Sequence, residues 1–196
     1  MVSKRAEIQF QPGSITRQYS EEEAVCLVTR WLEAFGMNRQ GVNSKAFLWH
    51  IFSAERYSCV SGSAALAQYA MHVAPEYVIL SNDRKFAFAI DSRPEKCSLL
   101  DYYVFPSNLA WTMAFTHEDG WLGPYFALHN DFAKLNEANL ANLQKISEAK
   151  AAKLKGWHWK SRLTHHSIRP QNTVFLASAS PPWLRSVNSK VLSPLK

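Results

Sequence analysis

The residues best suited to chemistry stand together at His117, Glu118 and Asp119, with Trp121 close behind them. An imidazole beside two carboxylates can shuttle protons or hold a metal ion, and a loop at the end of a strand is where such groups meet a substrate. Two features weigh against both uses. Neighbours on an extended chain point to opposite sides, which separates His117 from Glu118. No HExxH pattern and no EF-hand spacing surrounds them. The sequence therefore assigns no catalytic residue, no metal and no cofactor; His117, Glu118 and Asp119 remain the alternative acid–base set of a small hydrolase or nuclease. The preferred expectation is a recognition loop in which Trp121 is the anchor and Glu118, Asp119 and His117 meet a basic protein partner.

Groups elsewhere do not single out a site. His50, His72, His129, Asp91, Asp101 and Asp131 are available, and Cys59 with His117 has the types of a nucleophile and its base, yet no spacing selects any set. There is no GxSxG, no zinc pattern and no glycine-rich phosphate loop in a chain with seven glycines. Cys26, Cys59 and Cys97 form no CxxC pair and read as buried reduced thiols.

The candidate loop must be held by the segments around it. From Ala110 to Thr116, Trp111, Met113 and Phe115 alternate with Ala110, Thr112, Ala114 and Thr116. That is the period of two of a half-buried strand. Asp119-Gly120 and Gly123-Pro124 reverse the chain, and Tyr125 to Leu128 returns as a second strand, so this hairpin is expected at the centre of a sheet. Tyr77–Leu80 and Phe86–Ile90 flank the polar turn 81–84 as a further hairpin, and Leu100–Phe105 is another strand.

Helices complete the architecture. Ser20-Glu21-Glu22-Glu23 is a capping box ahead of a stripe running from Ala24 to Phe35, and Gly36 stands where that helix stops. Asn43 or Ser44 can cap a second helix burying Phe47, Leu48, Ile51 and Phe52, with Trp49 and His50 on its rim. Ala64–Met71 reads as a third, and a fourth starts at Asn130 or Asp131 and ends near Gly156. The sum is an α+β fold: an antiparallel sheet of about five strands, built of hairpins and a meander, with about four helices.

The 47% hydrophobic content is ample for a core. No apolar run reaches the ~20 residues of a membrane span. The start MVSKRAEIQF lacks a signal peptide's apolar stretch, so the expected location is cytoplasmic, with no membrane partner. The net charge of +6 belongs to one end: nine of the 22 Lys and Arg follow Glu148, the last acidic residue, leaving residues 1–149 at −3. Residues 1–155 are therefore read as a single α+β domain, and 156–196 as a basic, Ser/Pro-rich extension expected to be poorly ordered. In that tail Trp157, Trp159, Lys160 and Arg162 interleave rings with cations, a composition that can stack on single-stranded nucleic acid; nucleic-acid contact is expected only there, as a further alternative.

The phrases FLWHIFS at Phe47–Ser53 and WTMAFTHEDGWLGPYF at Trp111–Phe126 resemble an uncharacterised family of small bacterial proteins, the domain of unknown function 4275. The likeness covers roughly Ser20 to Phe132. It implies a bacterial cytosolic α+β protein without an established reaction, of the sort suspected to act as immunity or accessory proteins, for which the partner would be a basic toxin. The tail has no counterpart in it.

Overall fold

The Ser20 hydroxyl accepts from the Glu23 N–H at 3.2 Å while the Glu23 carboxylate accepts from the Ser20 N–H at 2.8 Å. These two bonds close the capping box that starts helix α1 (Glu21–Phe35). The structure is a computed structural model that describes residues 8–118 and 121–164, the side chains of 156–164 excepted.

Around α1 the chain runs β1 (Phe10–Gln11), β2 (Ile15–Gln18), α1, α2 (His50–Ser53), β3 (Val60–Ser61), α3 (Gly62–Met71), β4 (Tyr77–Ser81), β5 (Ala87–Ile90), β6 (Lys96–Cys97), β7 (Tyr102–Pro106), β8 (Trp111–Phe115), β9 (Tyr125–Leu128) and α4 (Phe132–Thr164). Seven strands form one antiparallel sheet in the order β2-β5-β4-β7-β8-β9-β3, and β1 pairs with β6 in a small second sheet. The fold class is α+β. The sheet is larger than five strands, because the short edge segments β2 and β3 join it, and it is not a continuous meander. After the β4–β5 hairpin the chain passes to the other side of β4 to place β7. That makes β7, and not the β8–β9 hairpin, the middle strand.

Both faces of the sheet are covered. Val78, Leu80, Tyr103, Phe105 and Ala114 lie with Trp31, Phe35 and the 48–52 segment, whereas Ile79, Val104, Trp111, Met113 and Phe126 lie with Tyr69 of α3 and are flanked by Phe132 and Leu135. Strand β8 is thus buried on both sides, and the expectation of a half-buried strand is corrected. Its small-residue face is small because a helix ring sits on it: Trp31 Nε1 donates to Thr112 Oγ1 at 2.9 Å.

The second predicted helix survives only as α2. Leu48 N donates to Asn82 Oδ1 at 3.3 Å and Trp49 N to the Tyr103 hydroxyl at 3.1 Å, so side chains of the β4–β5 turn and of β7 take N–H groups that a longer helix would use internally. Asn43 Oδ1 caps a turn at Ala46 N instead of a helix. Trp49, expected at a rim, is 2% exposed. Of the three thiols, Cys26 is exposed and the others partly covered, not buried as expected; all three are unpaired. Helix α4 continues past Gly156 to Thr164. The chain divides into two compact units at 155/156, and Trp157, Trp159, Lys160 and Arg162 lie in the last turns of α4, their side chains outside the described residues.

Candidate functional site

Strand register builds the site. Tyr102 pairs with Phe115 in the antiparallel β7–β8 ladder, so Asp101, just before β7, comes level with the residues just after β8. Its carboxylate accepts from the His117 backbone N–H at 3.1 Å, from His117 Nδ1 at 2.9 and 3.0 Å, and from Trp49 Nε1 at 3.1 Å. An ionised carboxylate only accepts, so Nδ1 carries the proton and Nε2 is the nitrogen presented outward. Nε2 stands 3.7 Å from Glu118 Oε1. The expectation that His117 and Glu118 diverge is therefore overturned: the chain leaves extended conformation at Thr116, and a turn brings both side chains to one side.

The loop is fastened at its base. Trp121 N and Leu122 N both donate to the Glu118 carbonyl at 2.9 Å, and Thr116 Oγ1 donates to the Leu122 carbonyl at 2.6 Å. The imidazole lies against Phe47, ring centres 5.1 Å apart, and near Trp49 at 6.2 Å. Glu118 Oε2 is covered yet bonded to no described group. Trp121 is 85% exposed. Asp119, the remaining predicted residue, lies outside the described residues. Asp101 and Trp49 are the two site members that the sequence leaves unassigned. Their signal is the pairing register of β7 with β8, which alternation alone does not give.

Chemically, this is an imidazole of fixed tautomer between two carboxylates. The hydrogen bond to Asp101 raises the His117 pKa, partial desolvation opposes it, and the charges of Asp101 and Glu118 raise it further. The proton is then held more tightly in the folded chain than in the unfolded one. Its stabilisation is complete below the ordinary value near 6.5 and is lost as pH rises through the raised value. Between about pH 6 and 8 the thermal midpoint of the native protein should accordingly fall relative to His117→Gln. Parallel midpoint curves for the two proteins would show that the Asp101–His117–Glu118 contacts contribute no such linkage.

Other chemistry is not favoured. Desolvation, and secondarily the charge of Glu55, push the Cys59 thiol up, the wrong direction for a nucleophile. Among the described residues no group of three or more His, Cys, Asp or Glu is placed to hold a metal ion. No helix among them is long and apolar enough to cross a membrane. The hollow beside the loop, about 420 Å³ between α3 and Trp121–Tyr125, is lined without His117 or Glu118.

Residues 7–126 match the family model described as a domain of unknown function (DUF4275). The chain belongs to that family. The DUF4275 match contains Asp101, His117, Glu118 and Trp121 and stops within β9, so α4 and all that follows lie beyond it. No curated protein and no solved structure matches the chain.

Proposed function

We propose that this DUF4275 protein is a non-enzymatic binding protein of the immunity or accessory type, bacterial and cytoplasmic, whose 117–122 loop docks a basic protein partner. The supporting observation is Trp121, a large ring 85% exposed on a loop closed at its base by three hydrogen bonds. An exposed tryptophan buries much apolar area on docking, which is how hot-spot anchors work. Beside it, the partly exposed Glu118 carboxylate adds negative charge that complements a basic partner, and residues 1–149 are net acidic.

Co-purification from the native host tests the proposal with native protein, Trp121→Ala and Glu118→Lys. Trp121→Ala should weaken binding by roughly 10- to 100-fold. Glu118→Lys should slow association and reduce its salt dependence. Unchanged recovery of the partner with both variants would remove this loop from consideration.

The Asp101–His117 contact favours one second function, a small hydrolase or nuclease with His117 Nε2 as the proton acceptor and Asp101 holding the tautomer. Turnover of an ester or phosphodiester by the native protein, lost in His117→Gln, would support it.

A further inference from the structure

A cleft of about 590 Å³ lies between the turn after α1, residues 56–60, α3 and the outer edge of β9. That volume falls in the range of roughly 300–1,000 Å³ typical of small-molecule sites. Met37, Val60 and Leu128 line it with exposed apolar surface, an arrangement that water covers poorly. One cation enters it. The Arg56 guanidinium makes no hydrogen bond or ion pair with any described residue, and no acidic side chain lines the walls; Glu55, whose charge is felt at Cys59, stands outside them.

Two observations decide what kind of occupant fits. The β9 edge is already partly satisfied: β3 pairs with Tyr125 and Phe126, and the Tyr57 hydroxyl donates to the Leu128 carbonyl at 2.9 Å. An added peptide strand would have to displace that bond. Second, Arg56 is the single cationic group in the lining, so the site matches one negative charge and not the two of a phosphate monoester. A planar guanidinium binds a carboxylate through two parallel N–H donors.

We propose that this cleft binds a small organic monoanion, a carboxylate carrying an apolar chain, with Arg56 on the carboxylate and Met37, Val60 and Leu128 on the chain. The site is separate from the 117–122 loop and does not depend on the function proposed for it.

Cys59 lines the same cleft and supplies a local reporter. Full-length protein is alkylated with iodoacetamide, with decanoate as the probe, and modification at Cys26, Cys59 and Cys97 is followed by peptide mass spectrometry. Decanoate at ten times its dissociation constant should slow Cys59 alkylation about tenfold and leave Cys26 and Cys97 unchanged, since only the unoccupied fraction reacts. Decanamide at the same concentration should protect less, Arg56→Gln should abolish the difference between the two, and Arg56→Lys should restore part of it. Trp121→Ala should leave protection intact. Calorimetric titration of decanoate into native and Arg56→Gln protein measures the same binding without the thiol. The proposal is overturned if decanoate fails to protect Cys59 and releases no heat. It is equally overturned if decanamide protects as well as decanoate, if Arg56→Gln protein is protected as well as native, or if all three thiols slow together.

Discussion

Trp49→Ala should lower folding stability by about 3–5 kcal/mol, the usual range for deleting a large aromatic side chain from a core. The magnitude follows from where the ring sits. Trp49 is stacked with Tyr125 of β9, ring centres 6.3 Å apart and 19° from parallel, and packs on Phe47 at 5.4 Å. Its Nε1 donates to Asp101, and its backbone N–H to the Tyr103 hydroxyl. Alanine keeps the backbone bond and loses everything else, leaving both a void and a carboxylate short of one donor. Trp49→Phe separates these effects, because it keeps most of the ring and gives up only the N–H. Its cost should be about 1–2 kcal/mol, since His117 still donates twice to Asp101. Urea unfolding with unchanged m-values measures both. A loss below about 1 kcal/mol for alanine would mean that the ring is not a core element. Because the Trp49 ring also lies beside the imidazole and donates to the carboxylate that orients it, the alanine protein should hold His117 less firmly.

How far the sequence foretells this arrangement depends on the range of the interactions involved. The capping box of α1, its buried stripe and the β4–β5 hairpin rest on residues a few positions apart, and each stands where the spacing puts it. The limits of α2 do not, because they are set by Asn82 and Tyr103, residues that meet Leu48 and Trp49 only after the sheet has formed. Tertiary hydrogen bonds there override a plausible helical stripe. Strand β3 is two residues long, too short to show a period in the sequence, and only pairing with Tyr125 and Phe126 defines it. The site divides in the same way. His117, Glu118 and Trp121 are legible as types beside a turn, but the contact that orients His117 joins positions sixteen apart. The pairing of Tyr102 with Phe115 creates that contact, and a shift by one residue would have sent Asp101 to the opposite face.

The loop's geometry makes Gly123 a position where a methyl group is costly. Its φ is +98°, a region where a Cβ is strained, and a Cβ there would stand 2.9 Å from Thr116 Oγ1 and 3.0 Å from Thr116 Cγ2. Thr116 Oγ1 is the donor to the Leu122 carbonyl, so the added methyl pushes on the bond that closes the loop. Backbone strain of about 1–2 kcal/mol and overpacking of about 1–3 kcal/mol together predict a loss of about 2–5 kcal/mol for Gly123→Ala. Gly41 provides the control. It also has positive φ, +78°, but a Cβ there meets nothing within 4 Å, so Gly41→Ala should show the backbone strain alone. The difference between the two proteins in thermal or urea unfolding isolates the clash with Thr116. Equal losses would mean that Thr116 yields freely and does not fasten the loop. A larger loss at Gly123, accompanied by weaker partner recovery although Trp121 and Glu118 are intact, would tie recognition to the rigidity of the bend as well as to its side chains.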